Sequence, residues 1–232
     1  MNKIFTFGDG YAAGHLWPEW PQILSAMLPD YEIVNTAGIG AGPEWLVHQF
    51  VKKLPNLANS TVIFQWPIAD RFDKLIEDAP WQAISNADPG YSFNQYVTDD
   101  ETWWLSSATN NAQVQNYLTH YVQKKQHHIR KKNYQILVKN TAENLNSCYI
   151  ELSTIDQVIF SKQARFELVR QHEIQPSPLV HFAFIIEQIL PQLTNIKIDY
   201  VRINKLQDRI NEQKWVAYNP DRAEIWQKIS AL

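Results

Sequence analysis

The chain has 232 residues, 45% of them hydrophobic, and a formal net charge of −3; this fits one domain with a sizeable core and gives no electrostatic drive toward nucleic acid or an anionic membrane. Its single cysteine, Cys148, excludes an intrachain disulfide and suits a reducing compartment or a particle assembled in one. No apolar run approaches the roughly 18 residues of a transmembrane helix, and Met1-Asn2-Lys3 leads straight into a strand-like stretch with no signal-peptide pattern, so a cytoplasmic or particle-bound location is expected.

Ile4–Phe7 reads as a short buried strand bounded by Gly8-Asp9-Gly10. Pro18 or Pro21 opens a helix through Ile23, Leu24 and Met27 that stops before Pro29. Tyr31–Asn35 is a second strand, followed by the glycine-rich turn Gly38-Ile39-Gly40-Ala41-Gly42. Trp45, Leu46, Phe50, Val51 and Leu54 then recur at helical spacing, and Thr61–Trp66 is a third strand closed by Pro67. Between about 73 and 111 the pattern breaks into Asp, Asn, Ser and aromatic residues, which reads as an insertion or lid. The chain is helical again from Ala112 to about Lys139, and Tyr149–Leu152 is a fourth strand. Ser177 and Pro178 start a strong helix with an apolar stripe of Phe182, Ile185, Ile186, Ile189 and Leu193. Beyond it come strand-like pieces at Ile196–Ile203 and Trp215–Tyr218 and a last helix from Asp221. Strands alternating with helices predict an α/β fold, with a central, mostly parallel sheet covered on both faces.

Three segments carry a family resemblance. Phe7-Gly8-Asp9-Gly10-Tyr11-Ala12-Ala13-Gly14 follows the first strand, Val34-Asn35-Thr36-Ala37-Gly38-Ile39-Gly40 follows the second, and His172-Glu173-Ile174-Gln175-Pro176-Ser177-Pro178 precedes the last strong helix. In order and spacing they resemble the Gly-Asp-Ser block, the oxyanion-glycine block and the Asp-x-x-His-Pro block of the SGNH (GDSL) hydrolases. The resemblance covers roughly residues 3–193 and rests on order and context together, since each piece alone is weak. It implies a three-layer α/β/α sandwich with a central, mostly parallel sheet of SGNH/flavodoxin-like type over 1–193, with the insertion at about 73–111, and a C-terminal extension, 194–232, that packs on the core or on a neighbour.

Acyl transfer on this plan needs a nucleophile, a base, a group that orients the base, and oxyanion donors. The nucleophile position holds Gly10, which has no side chain. Gly40 matches the oxyanion glycine. An ungapped reading puts Ile68 at the oxyanion asparagine and a one-residue slip puts Ala69 there, and no asparagine occurs between Asn59 and Asn86. The base position holds Gln175, which takes no proton near neutral pH, and His172 replaces the orienting aspartate. The resemblance therefore implies a degenerate pocket of Asp9, Gly10, Tyr11, Asn35, Gly40, Ile68, His172 and Gln175, with no catalytic residue retained. A rewired site would draw on Tyr11, His172 or His181. Glycine at position 10 also has a purely structural reading, relief of strain in a tight turn.

Other features each have a plain alternative. Lys124, Lys125, Arg130, Lys131 and Lys132, with His127 and His128, form either a phosphate-binding patch or, the reading we adopt, a solvated helix face. No aromatic residues interleave with them to stack bases, so nucleic acid is not an expected partner. Adjacent histidines diverge by about 100° on a helix, and no other set has ligand spacing, so neither metal nor cofactor is expected. Asp70-Arg71-Phe72-Asp73 is read as a loop brace rather than a ligand contact. Trp17, Trp20 and Trp66 either floor a sugar site or seal the pocket. Trp66, Trp81, Trp103 and Trp104 are the candidate partner or sugar surface, with an interface favoured for the aromatic insertion.

The opening block through His15-Leu16-Trp17-Pro18-Glu19-Trp20-Pro21-Gln22, with Gln175-Pro176-Ser177-Pro178, also resembles SGNH-like proteins encoded by tailed phages, notably of marine cyanobacteria. That resemblance implies a virion component. Three readings follow: an inactive SGNH-like domain used for binding or assembly, an esterase or carbohydrate O-deacetylase with a rearranged site, and a sugar-binding module.

Overall fold

The structure is a computed structural model that describes residues 2–10, 12–13, 18–38, 41–67, 72–76, 94–98, 101–106, 124–152, 177–215 and 219–232. Its centre is a four-stranded, all-parallel sheet of β1 (Asn2–Phe7), β2 (Tyr31–Asn35), β3 (Thr61–Gln65) and β7 (Cys148–Leu152), in the order β2-β1-β3-β7. The fold is therefore α/β, as the alternation of elements predicts. β7 begins one residue before Tyr149, and β3 ends at Gln65 rather than Trp66.

Side chains alternate across a strand, so a sheet buried on both faces needs apolar residues at consecutive positions. On one face Ile4, Ile63, Ile150 and Leu152 meet α1 (Trp20–Met27), α4 (Pro178–Phe184) and the helices that follow. On the other, Phe5, Phe7, Val62 and Phe64 meet α2 (Pro43–Lys53) and α3 (Lys124–Asn144). The second face is aromatic: Phe7 stacks on Phe64 at 5.1 Å, and Phe64 meets Trp66 at 4.3 Å. Each such ring contributes roughly 1.5–3 kcal/mol by burial, with aromatic pairing adding to it.

Proline stands in the first turn of α1, α2 and α4, where the missing N–H costs nothing. Ser177 takes the N-cap position of α4 without a side-chain capping bond. The stripe expected there is largely the buried one: Phe182, Ile185, Ile189 and Leu193 are core and Ile186 packs partly against it. After Phe184 the helix widens into a π-helical turn at Ile185–Ile189. Pro191, which offers no N–H and crowds the carbonyl four residues back, supplies the physical reason.

Residues 196–203 do not form the expected strand. Tyr200–Glu212 is a helix, α5, capped by Asp199, whose carboxylate accepts from the N–H groups of Val201 and Arg202 at 3.0 and 3.1 Å. Ile203, Leu206 and Ile210 lie on its buried side. Trp215 stands outside any strand, and 216–218 lie outside the described residues. The last helix, α6 (Arg222–Ser230), follows Asp221 as expected. The guanidinium of Arg202 donates to the carbonyls of Ala26 at 2.6 Å and Leu232 at 2.8 Å, and Arg209 donates to that of Ala231 at 2.8 Å. The C-terminal extension therefore packs on the core, against α1 and α4.

The 73–111 stretch contains a second, antiparallel sheet of β4 (Phe72–Ile76), β5 (Asn94–Thr98) and β6 (Glu101–Ser106), in the order β4-β6-β5. This stretch, read from the sequence as an insertion or lid, is thus partly strand. The helix expected from Ala112 is described from Lys124 and runs past Lys139 to Asn144.

Two tight turns meet at the start of β3 and β7. Asn59 and Asn146 both adopt left-handed backbone, with φ of 57° and 54°. The N–H of Asn59 donates to the Leu145 carbonyl at 3.1 Å, and the Ser60 and Ser147 hydroxyls both donate to the carbonyl of Leu57.

Candidate functional site at the carboxyl edge of the sheet

At β1 the strand order turns back, with β2 on one side and β3 on the other. Ligands of open parallel sheets settle beyond the carboxyl ends of two such diverging strands. Here that crevice lies between Gly8-Asp9-Gly10 after β1 and Trp66-Pro67 after β3.

The turn after β1 is held tightly. The N–H of Ala12 donates to the Asp9 carbonyl at 2.9 Å, and that of Gly38 donates to the Gly8 carbonyl at 3.0 Å. A Cβ on Gly8 would stand 2.8 Å from the Ala12 Cβ and 3.2 Å from Gln65 Oε1, so this strand exit accepts glycine alone without movement. Asp9 and Gly10 are buried. Asn35 accepts from the Thr6 hydroxyl at 3.0 Å and from the Ala37 N–H at 3.1 Å, while its amide donates to the Ala12 carbonyl at 2.7 Å. Its side chain is a brace between the turns after β1 and β2.

Of the expected pocket residues, the structure thus brings together Asp9, Gly10 and Asn35. Tyr11, Gly40, Ile68, His172 and Gln175 lie outside the described residues, as do Trp17, Asp70, Arg71 and Trp81. Trp103 and Trp104 fall on β6, the central strand of the antiparallel sheet, opposite Leu75 and Lys74 of β4. Trp66 is not a surface residue. It is 2% exposed, lies against Phe64, and its indole donates to the Tyr149 hydroxyl at 3.3 Å. Trp20 is likewise fully buried, so both described tryptophans of that rim seal rather than display. His181 is fully buried on α4.

The residue that sequence reasoning missed is Lys131. In the cation run it reads as one more solvated charge, yet its ammonium donates to the Pro67 carbonyl at 2.7 Å, at the carboxyl end of β3. Burial lowers its pKa, while attraction to Glu151 and Asp9 opposes that shift. Arg130 pairs with Glu44 of α2 at 3.1 Å, His127 is buried and His128 is exposed, so this helix is not a uniform solvated face. Beside Lys131, Glu151 accepts from Gln135 at 2.7 Å and from the Tyr149 hydroxyl at 3.2 Å. Burial is the main cause that pushes the Tyr149 phenol well above its ordinary range.

Among the described residues this edge offers hydrogen-bond donors and one cation flanked by carboxylates. The phenol stays protonated at neutral pH, and Gly10 has no side chain. No group of three or more His, Cys, Asp or Glu among the described residues is arranged to hold a metal ion, and no helix among them is long and apolar enough to cross a membrane. No family model matches the chain, and no curated protein matches it.

Proposed function

We propose that the chain is a catalytically inactive SGNH-like domain that acts by binding, as an assembly component of a tailed-phage particle. The observation that carries this reading is the turn after β1. That turn is buried and internally bonded, Lys131 from α3 bonds the adjoining strand exit at Pro67, and on the SGNH-like reading its Gly10 stands where the nucleophile would be. The order β2-β1-β3-β7 is compatible with the flavodoxin-like sheet that the resemblance implies. Proteins on one fold commonly keep a pocket's outline without its chemistry.

The test is a hydrolysis screen of the purified protein against short acyl esters and acetylated sugars, with Tyr11→Phe and His172→Ala as controls, alongside sizing of the chain from its native source. The reading expects no turnover above the controls and a mass well above the 27.1 kDa of one chain. Turnover lost in either control would instead establish a rebuilt esterase or deacetylase, and a lone monomer would remove the assembly role.

A further inference from the structure

A parallel sheet sends all its strand starts to one edge, opposite the crevice at Asp9. At that edge lies a groove of about 590 Å³, bounded by the first residues of β1, β2, β3 and β7 and by the segment after α4. Its size falls within the range of roughly 300–1,000 Å³ typical of small-ligand sites.

The lining mixes polar side chains with the apolar Leu193 and Ile196, and amides are the most frequent group in it. Asn2, Asn59, Asn146 and Asn195 bring exposed amide side chains, and Thr61 and Thr194 add hydroxyls. Tyr31 supplies a half-buried aromatic ring. The charges present are paired: Lys3 with Glu32 at 3.2 Å, and Glu143 with Lys139 at 3.9 Å. Each amide both donates and accepts, which matches vicinal hydroxyls, and a ring face matches the C–H face of a sugar.

A second observation concerns the same surface. Asn59 and Asn146 are the two non-glycine residues with left-handed backbone among those described, and both line this groove. Glycine would occupy either position without strain. Asparagine takes this conformation at modest cost, and here it sets an amide in each of the two turns where β3 and β7 begin.

We propose that this groove binds neutral carbohydrate, a mono- or disaccharide unit held by the four asparagine amides against Tyr31. It lies away from the Asp9 crevice and stands whether or not the reading of that crevice does. Cys148 lies in the groove, half-exposed, and serves as a built-in reporter.

The experiment titrates the full chain with maltose, cellobiose, lactose, diacetylchitobiose, glucose and glucuronic acid, following backbone amide resonances and the rate of Cys148 alkylation. At least one sugar is expected to shift resonances of 59–61 and 146–148 and to slow alkylation. The double variant Asn59→Gly/Asn146→Gly keeps the left-handed backbone while deleting both amides, and binding should weaken about tenfold or more. Asn195→Ala, which alters neither turn, should weaken it to a lesser degree. No binding by any sugar of the panel, binding unchanged in these variants, or a preference for glucuronic acid over glucose would overturn the proposal.

Discussion

The indole N–H of Trp20 donates to Gln65 Oε1 at 2.8 Å, and both residues are completely buried. The bond ties α1 to the last residue of β3, while Trp20 also meets Phe184 of α4 edge-on at 6.3 Å. Gln65→Leu keeps the volume and removes the acceptor, leaving a buried donor unmet. The expected loss is about 1–3 kcal/mol in urea unfolding. Trp20→Phe combined with Gln65→Leu should cost less than the two single changes together, because the second removes an acceptor that no longer has a donor.

Gly38 carries a similar constraint. A Cβ there would stand 2.7 Å from the Trp45 ring, which is itself buried on α2. Gly38→Ala should destabilise the protein by about 1–3 kcal/mol through overpacking. Adding Trp45→Leu should recover part of that loss, and a double-mutant cycle of thermal melts reads it. Full additivity would show that the ring is not what the new methyl meets.

Stability should respond to alkali in two opposite ways. The pKa of Lys131 is lowered in the folded chain from its ordinary 10.5, mainly by burial, so the unfolded chain binds that proton more tightly. Its contribution therefore makes stability rise with pH in the window between the lowered value and 10.5. The Tyr149 pKa is raised above its ordinary 10.0, mainly by burial, so the folded chain holds that proton more tightly and stability falls as pH climbs from 10.0 toward the raised value. Urea midpoints from about pH 8 to about pH 11 should lose the rise in Lys131→Met and lose much of the fall in Tyr149→Phe. Profiles identical to the parent in both variants would show that neither group titrates differently on unfolding.

Gly10→Ser alone should not yield an esterase. A serine needs a base to take its proton, and on the SGNH-like reading proposed above the position that would supply one holds Gln175. Hydrolysis of a short acyl ester should stay at the level of the parent protein. A measurable gain would show that a base is present after all.

The sheet was legible because consecutive apolar residues in Ile4–Phe7 and in Val62–Phe64 leave no solvent face, and a strand buried on both sides is the economical explanation. The helix at 200–212 was misread for a related reason. Ile196, Ile198 and the β-branched Val201 and Ile203 alternate briefly at strand spacing, whereas the helical stripe of Ile203, Leu206 and Ile210 unfolds only further on. Asp199, a strong N-cap residue, was the available signal. At the site, the glycine turns could be placed from their position after strands. The role of Lys131 could not, because nothing local separates it from Lys132; only the packing of α3 against β7 and α2 brings its ammonium to Pro67. Trp66 shows the same limit, since a tryptophan at a strand end reads equally as floor or as seal until its neighbours are known.

The shared Leu57 carbonyl has a consequence for how this chain tolerates change. It accepts from the Ser60 and Ser147 hydroxyls and also from the Ser60 N–H, so it joins two separate turns, and the starts of β3 and β7 are aligned before the first rung of their ladder, where Thr61 faces Cys148. Slippage of β7 along β3 is thereby blocked from outside the sheet. Peptide grafts or single-residue insertions at 57–60 or 145–147 should be rejected even though parts of both turns reach solvent, because lengthening either one misaligns every rung that follows.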